Sequence, residues 1–88
     1  MTETDIGQVK QYLDKRSVAI IEIDKGHELK VGDRIRIECT SPRIPFAQLV
    51  QSMQSHHKEV QSATHKDEVG LKTENRCKTG DRIIKIEF

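Results

Sequence analysis

The sequence predicts an all-β domain, a small closed antiparallel β-barrel of six or seven strands. A turn phrase occurs twice, Lys30-Val31-Gly32-Asp33-Arg34-Ile35 and Lys78-Thr79-Gly80-Asp81-Arg82-Ile83, and each copy leads into an isoleucine-rich segment. Glycine adopts positive φ freely and aspartate bonds to nearby backbone, so Gly-Asp is typical of a tight turn. The ten isoleucines favour strands. Closure into a barrel would leave no exposed edge strand.

Length and charge limit the classes of function. A chain of 88 residues forms one domain, which we place at residues 6–88 after a polar, disordered start at residues 1–5. The net charge is +1, which argues against strong non-specific binding to nucleic acid because that affinity comes from clustered Lys and Arg. A local basic patch remains compatible with this balance.

The cysteine content and the leading residues predict a soluble cytoplasmic protein. Cys39 and Cys77 are not in a C-x-x-C pair, and no secretory signal precedes them, which favours free thiols over a disulfide. The longest apolar run covers residues 18–21, too short to span a membrane.

The first half of the chain reads as three strands. Residues 6–13 give the first, and residues 17–24 give a second whose two faces are both apolar, which predicts a central or well-covered strand. After the first Gly-Asp turn, Ile35, Ile37 and Cys39 alternate with Arg34, Arg36 and Glu38, the pattern of a half-buried antiparallel strand.

The second half contains one ambiguous segment. Residues 40–45 hold Pro42 and Pro45 and predict a loop. Residues 46–57 fit either a short helix or a bent strand with a break near Ser52-Met53, and the all-β context favours the strand. Residues 60–66 read as a polar connection, and residues 68–73 as a short strand. In the last strand, residues 82–88, Ile83 either points away from its neighbours or marks a bulge.

The titratable residues give little support for catalysis or metal binding. His56 and His57 are adjacent, so in a strand they would point to opposite faces, and His27 and His65 lie in loops without ligands at zinc spacing. Cys39 belongs to an apolar strand face, where burial raises the thiol pKa and suppresses reactivity. Asp33 and Asp81 are better explained by their turns than as a catalytic pair. We therefore predict no enzymatic activity, no cofactor and no metal.

Four arginines are the candidate binding residues. They share an outward strand face or follow a turn and would form one patch for phosphates or carboxylates if the two repeats lie close together: Arg34, Arg36, Arg43 and Arg82. The alternative is a solvated face that is balanced by Glu22, Glu38 and Glu87. Because aromatic residues are scarce, base stacking is not expected.

Five motifs in order carry a resemblance to a known family. They are Ile6-Gly7-x-Val9, Leu29-Lys30-x-Gly32-Asp33, Val50-x-Ser52-Met53 with His57-Lys58, Ala63-x-x-x-Asp67-x-Val69-Gly70-Leu71, and Gly80-Asp81. The series resembles the β-barrel that follows the GTPase domain in translation factors such as elongation factor Tu and initiation factor 2. The resemblance implies structural turns at Gly32, Asp33, Asp67, Gly70, Gly80 and Asp81. Lys66 stands where that family has glycine, which implies a different turn there.

The resemblance is strongest to stand-alone translation elongation factor-like proteins, and a similar barrel is appended to collagenase-like peptidase proteins. The chain has no G-x-x-x-x-G-K-[ST] phosphate loop, so no GTP is expected to bind. The function it implies is a non-catalytic module that binds RNA (tRNA or rRNA) or a translation or RNA-modification partner. The alternative is a protein-interaction or structural module that docks onto a partner protein without nucleic-acid binding.

Overall fold

The computed structural model describes residues 1–39 and 43–88, and over these ranges the chain is all-β, as predicted. The described residues form ten strands in chain order: β1 (Thr2–Leu13), β2 (Val18–Ile23), β3 (Glu28–Lys30), β4 (Arg34–Glu38), β5 (Phe46–Leu49), β6 (Met53–Ser55), β7 (Lys58–Val60), β8 (Ser62–Thr64), β9 (Glu68–Lys72) and β10 (Arg82–Glu87). The described residues contain no helix that could span a bilayer.

Eight strands form one antiparallel sheet that is open. Its order is β5-β4-β10-β1-β2-β9-β6-β7, and β3 pairs with β8 in a separate two-stranded sheet. The edge strands β5 and β7 do not pair with each other in the described part of the chain. The predicted closed barrel of six or seven strands is therefore wrong in both strand number and closure. The reason lies just after Val50, which still exchanges backbone hydrogen bonds with Gly32 and Asp33 at 2.8 Å. Beyond it the chain leaves the β4 side, and the next strand, β6, pairs with β9.

A side chain spans the gap that the backbone ladder leaves. The Gln48 amide on β5 donates from Nε2 to the carbonyl of Lys72 at 2.9 Å, and its Oε1 accepts from the N–H of Glu74 at 2.8 Å. Gln48 is buried. Its side-chain amide therefore links the edge strand β5 to the backbone at the end of β9. It donates one hydrogen bond and accepts one, as the backbone of a neighbouring strand would.

The core is aliphatic and lies inside the curved sheet. The predicted inward residues are buried, among them Ile35 and Ile37 on β4 and Val69 and Leu71 on β9. The buried apolar set consists of Ile6, Val9, Ala19, Ile21, Ile23, Leu29, Ile35, Ile37, Val50, Met53, Ala63, Val69, Leu71, Cys77 and Ile83. The alternating patterns thus predicted the core side of β4 and β9 correctly, and β2, whose two faces are both apolar, is a central strand of the sheet, as predicted.

The first strand is longer than predicted and is irregular. β1 begins at Thr2, which pairs with Glu87, so residues 2–5, expected to be disordered, run beside β10. Its register shifts between Asp5 and Gly7 and again between Val9 and Gln11. Gly7 sits at the first shift, where a Cβ would lie 2.2 Å from the carbonyl oxygen of Glu22. Only glycine allows the backbones of β1 and β2 to approach this closely.

Several local predictions are corrected or decided. Residues 46–57 form strands β5 and β6 followed by a turn, so the strand alternative is right and the helix is wrong. The predicted polar connection at residues 60–66 contains β8 and the end of β7, and β8 pairs with β3. Ile83 points inward while Ile84 and Ile86 face outward, and the bulge lies on β1 instead of β10. Of the predicted loop at residues 40–45, residues 40–42 lie outside the described residues.

Candidate functional site

Three of the four candidate arginines share the outward face of neighbouring strands. Ile86 of β10 pairs with Arg34 of β4, Ile84 pairs with Arg36, and Arg82 pairs with Glu38. The side chain of Arg34 is exposed and its Cζ lies 5.6 Å from the ring centroid of Phe88. Arg34, Arg36 and Arg82 of the predicted patch therefore lie on one face of the sheet.

Carboxylates occupy two of these arginines. Arg36 forms ion pairs with Glu38 and, at 2.8 Å, with Glu3. Arg82 contacts Asp5 at 2.7 Å and Asp24 at 2.9 Å. These hydrogen bonds raise the pKa of both guanidinium groups. The face is thus a network of charge pairs that covers outward isoleucines, and the role of its arginines in binding RNA or a partner stays a prediction.

Arg43 lies apart from that face, at the second Gly-Asp turn. Its Nη1 and Nη2 donate to Oδ2 and Oδ1 of Asp81, both at 2.7 Å. Oδ2 also accepts from the N–H of Lys78 at 2.9 Å. The Asp81 side chain is only 3% exposed. Burial alone would raise the pKa of Asp81, but the hydrogen bonds from Arg43 and Lys78 outweigh it and hold that pKa below its ordinary value.

The three predicted Asp turns share one geometry. Asp33, Asp67 and Asp81 each accept a hydrogen bond from the backbone N–H three residues earlier, at 2.8, 3.0 and 2.9 Å. The backbone N–H of each Asp in turn donates to the carbonyl of that same earlier residue. Gly32 and Gly80 precede the first and third with φ of 98° and 95°. Lys66 precedes the second and is not among the described residues with positive φ, which is the different turn expected there.

The Gly70 assignment is wrong. Gly70 lies inside β9 and not in a turn, and it pairs with Ile20 of β2 and Gln54 of β6. Gly70 was placed in a turn by the family resemblance, whereas the residues alone predicted a strand over residues 68–73, and the structure agrees with the strand. Here the missing side chain leaves room for a neighbouring strand's residues instead.

Both thiols are free and poorly reactive. Cys39 is half-buried and Cys77 is buried. Burial is the main cause that raises the pKa of Cys39, and it raises the pKa of Cys77 to about 11. Since the thiolate is the nucleophile, these groups are mostly protonated at neutral pH.

The histidine pair occupies a turn and not a strand. His56 and His57 join β6 to β7 with φ of 52° and 65°, the two positive values of a tight hairpin turn. Over residues 1–39 and 43–88, no group of three His, Cys, Asp or Glu side chains is arranged to hold a metal ion.

An open cleft beside the Arg43–Asp81 pair is the candidate functional site. It measures about 520 Å³ and is lined by Cys39, Arg43, Ile44, Pro45, Phe46, Asn75 and Arg76. Ile44 is 84% exposed, whereas Phe46 is half-buried against the core. Arg76 reaches across to Asp14 at 3.0 Å. The cleft lining therefore combines aliphatic and aromatic side chains with two arginines.

The sequence pointed to two parts of this cleft but not to the whole. Arg43 and Cys39 were singled out for other reasons, and Ile44 was not. The sequence signal for this site is Ile44, which stands between Arg43 and Pro45 in a proline-containing segment. An isoleucine in such a loop is difficult to bury in the core, so its exposure can be expected from the sequence.

Comparison with known proteins then bears on the class of the domain. No family model matches the chain. It is 38% identical over 83 residues to an uncharacterized protease of Methanocaldococcus jannaschii, an alignment that covers 94% of this chain and 20% of that protein. The chain thus spans about a fifth of the length of the curated relative it matches.

Two solved structures share the fold. Both are the C-terminal domain of a protein described as a U32 peptidase from Geobacillus thermoleovorans, one of them a selenomethionine variant. The TM-scores are 0.82 and 0.78, at 16% and 15% identity. The first alignment covers 96% of this chain and 93% of that one, and the second covers 93% and 98%. At this level of identity the match shows the fold.

These findings overturn the identification with translation factors. The relative is a protease by name and the structural matches are peptidase domains, so the translation elongation factor-like assignment is wrong. The function inferred from that assignment, a module related to the translation factors, is wrong with it. The physical reason is that most of the motifs describe turns and strand starts, and such features specify a β scaffold without specifying what it binds.

Proposed function

We propose that this chain is a non-catalytic accessory domain that docks onto a larger protease-type domain through the cleft at Ile44. The observation that carries the proposal is the share of each protein that the sequence alignment covers. At 38% identity, nearly the whole chain corresponds to a fifth of a protease. The fold in turn corresponds to a domain that was described as the C-terminal part of a peptidase. The remaining four fifths of such a protein is the occupant we assign to the cleft.

The chemistry of the cleft supports docking. An isoleucine that is 84% exposed is a group that binding would remove from water, which stabilises the bound state. Arg43 is fixed by its two hydrogen bonds to Asp81, so it is already ordered before a partner arrives. Aromatic residues and arginine are enriched at protein interfaces, and Phe46 lines the same cleft two residues after Ile44.

The state of the titratable groups supports the absence of catalysis. The thiol pKa of Cys77 is about 11, and the Asp81 carboxylate is engaged by Arg43 and by backbone. A catalytic thiol requires a depressed pKa or an adjacent base. We expect the purified chain to leave labelled casein uncleaved, and cleavage that Cys39→Ala or Cys77→Ala removes would contradict the proposal.

The docking test uses the M. jannaschii relative with the segment that matches this chain deleted. Isothermal titration of the 88-residue chain into that protein is expected to show a 1:1 complex. Ile44→Asp should weaken it by about tenfold or more, since it places an unpaired charge in an apolar contact. Leu49→Asp is the matched control, because Leu49 is also exposed and apolar but does not line the cleft. The absence of binding at high concentration, or an equal loss from both variants, would overturn the proposal.

A further inference from the structure

The outward face of β2 is apolar, which the docking cleft does not explain. Val18 and Ile20 point away from the core and are half-buried, while Ala19 and Ile21 between them are core residues. The outward residues of β4, in contrast, are Arg34, Arg36 and Glu38. An apolar outward face on one strand of a charged sheet is a candidate contact surface.

A groove forms on this face because Gly70 has no side chain. Gly70 pairs with Ile20 across the strands, and a Cβ at Gly70 would lie 3.1 Å from Cγ1 of Val18 and 3.6 Å from Cδ1 of Ile20. Leu13 completes an aliphatic floor, and the groove measures about 320 Å³. That volume accommodates one or two side chains of a bound segment.

The rim of the groove carries one positive and one negative side chain, Arg16 and Glu68. Arg16, His56, His57 and Glu68 stand around the floor. The carboxylate of Glu68 pairs with Nζ of Lys10 at 2.9 Å, and Lys10 also contacts Glu22 at 3.7 Å. Arg16, which lines the groove, has no carboxylate partner within the described ranges. The unmatched charge beside the aliphatic floor is therefore a guanidinium, which selects a carboxylate.

The histidine turn fixes one side of the rim. Two consecutive non-glycine residues at positive φ are uncommon, and His56 and His57 hold this conformation between β6 and β7. The turn places both imidazoles at the groove instead of on opposite faces of a strand. Their ring N–H groups are donors available to the backbone of a bound segment.

We infer that this groove binds an extended acidic-apolar peptide segment, with an aliphatic side chain on the floor of Val18, Ile20 and Gly70 and a neighbouring Asp or Glu carboxylate on Arg16. The aliphatic floor matches the apolar side chain, and the guanidinium of Arg16 matches the carboxylate. The inference stands independently of the docking cleft, since the two sites share no lining residue.

The test is fluorescence anisotropy with a fluorescein-labelled hexapeptide of alternating Leu and Glu. We expect saturable binding by the intact chain, and none by the matched peptide in which Lys replaces Glu. An Ala and Glu peptide should bind at least about tenfold more weakly than the Leu and Glu peptide, because it cannot fill the floor.

Substitutions locate the binding. Arg16→Glu should weaken the Leu and Glu peptide by about fivefold or more, and Gly70→Val should weaken it by about tenfold by filling the groove. Lys25→Glu makes the same charge change outside the groove and should leave binding unchanged. Ile44→Asp should also leave it unchanged, which separates this site from the docking cleft.

The fold of each variant is checked by thermal unfolding, and Val18→Asp supplies a second test of the floor at a half-exposed position. We expect peptide-induced NMR shifts at the amides of Val18, Ile20 and Gly70. Equal binding of the Leu and Glu and the Leu and Lys peptides would overturn the inference. So would a dimer of this chain that forms through the groove and excludes the peptide.

Discussion

The guanidinium of Arg43 and the carboxylate of Asp81 form two parallel hydrogen bonds of 2.7 Å, although the two residues are 38 positions apart. The pair ties the segment that carries Ile44 and Phe46 to the second Gly-Asp turn. Asp33 occupies the equivalent position in the first turn, where its partner is Lys85 at 3.4 Å. The two turns therefore have one backbone geometry and different long-range partners.

Asp81→Asn is expected to lower the free energy of unfolding by about 2 kcal/mol, because it removes the charge from a mostly buried pair and leaves Arg43 without its carboxylate. Asp33→Asn keeps the turn type and changes a weaker contact, so its cost should stay below about 1 kcal/mol. Urea unfolding of both variants at neutral pH measures the difference. Equal losses would show that Asp81 acts only as a turn residue.

Acid should remove the contribution of Asp81. Its pKa is lower in the folded chain than its ordinary value of about 3.9, so the carboxylate stabilises the fold fully above that value and loses this effect as the pH falls toward the folded pKa. The stability gap between the native chain and Asp81→Asn should therefore be largest near pH 6 and shrink near pH 2.5. A difference in stability between the two proteins that grows on acidification would contradict a lowered pKa of Asp81 in the folded chain.

Gly7→Ala tests the close approach of β1 and β2. A methyl group there would lie 2.2 Å from the carbonyl oxygen of Glu22, so the strands must separate, and we expect a loss of about 3 kcal/mol. Gly26→Ala is the control, because Gly26 has a φ of +91° but open space around it, so its cost is only the backbone strain of about 1 kcal/mol. Thermal unfolding of the pair separates steric clash from backbone strain.

Gln48→Leu tests how the open sheet is held. The variant leaves the carbonyl of Lys72 and the N–H of Glu74 without their partner, which should cost about 2 kcal/mol. The amide of Glu74 should also exchange its hydrogen faster. Gln51→Leu, at an exposed position, should leave both the stability and the exchange rate unchanged. Slow exchange at Glu74 in the Gln48 variant would mean that the gap is closed in another way.

Local patterns predicted the parts of the fold that depend on neighbours in the chain. The Gly-Asp turns and the alternation of β4 and β9 follow from residues within a few positions of one another, and so does the apolar double face of β2. Strands β7 and β8 were missed because they are short and mostly exposed, so their residues are polar: only Ala63 of the six is buried. A polar strand has no period-two signal to find.

The site depended on contacts that sequence reasoning does not reach. Gln48 meets Lys72 and Glu74 across 24 and 26 positions, and Arg43 meets Asp81 across 38. The family resemblance, in contrast, rested on local motifs. It failed because those motifs describe turns that different proteins with β-barrel-like sheets share. The groove at Gly70 was not predicted, because the family resemblance placed that glycine in a turn.

NMR mapping can show whether the cleft at Ile44 is the docking surface. The chain is labelled with ¹⁵N and titrated with the M. jannaschii relative that lacks the matching segment. We expect amide shifts and line broadening to concentrate at Arg43, Ile44, Phe46 and Arg76, and to be much smaller in Ile44→Asp at the same partner concentration. Changes confined to the face of Arg34, Arg36 and Arg82, or a spectrum that the partner does not alter, would contradict it.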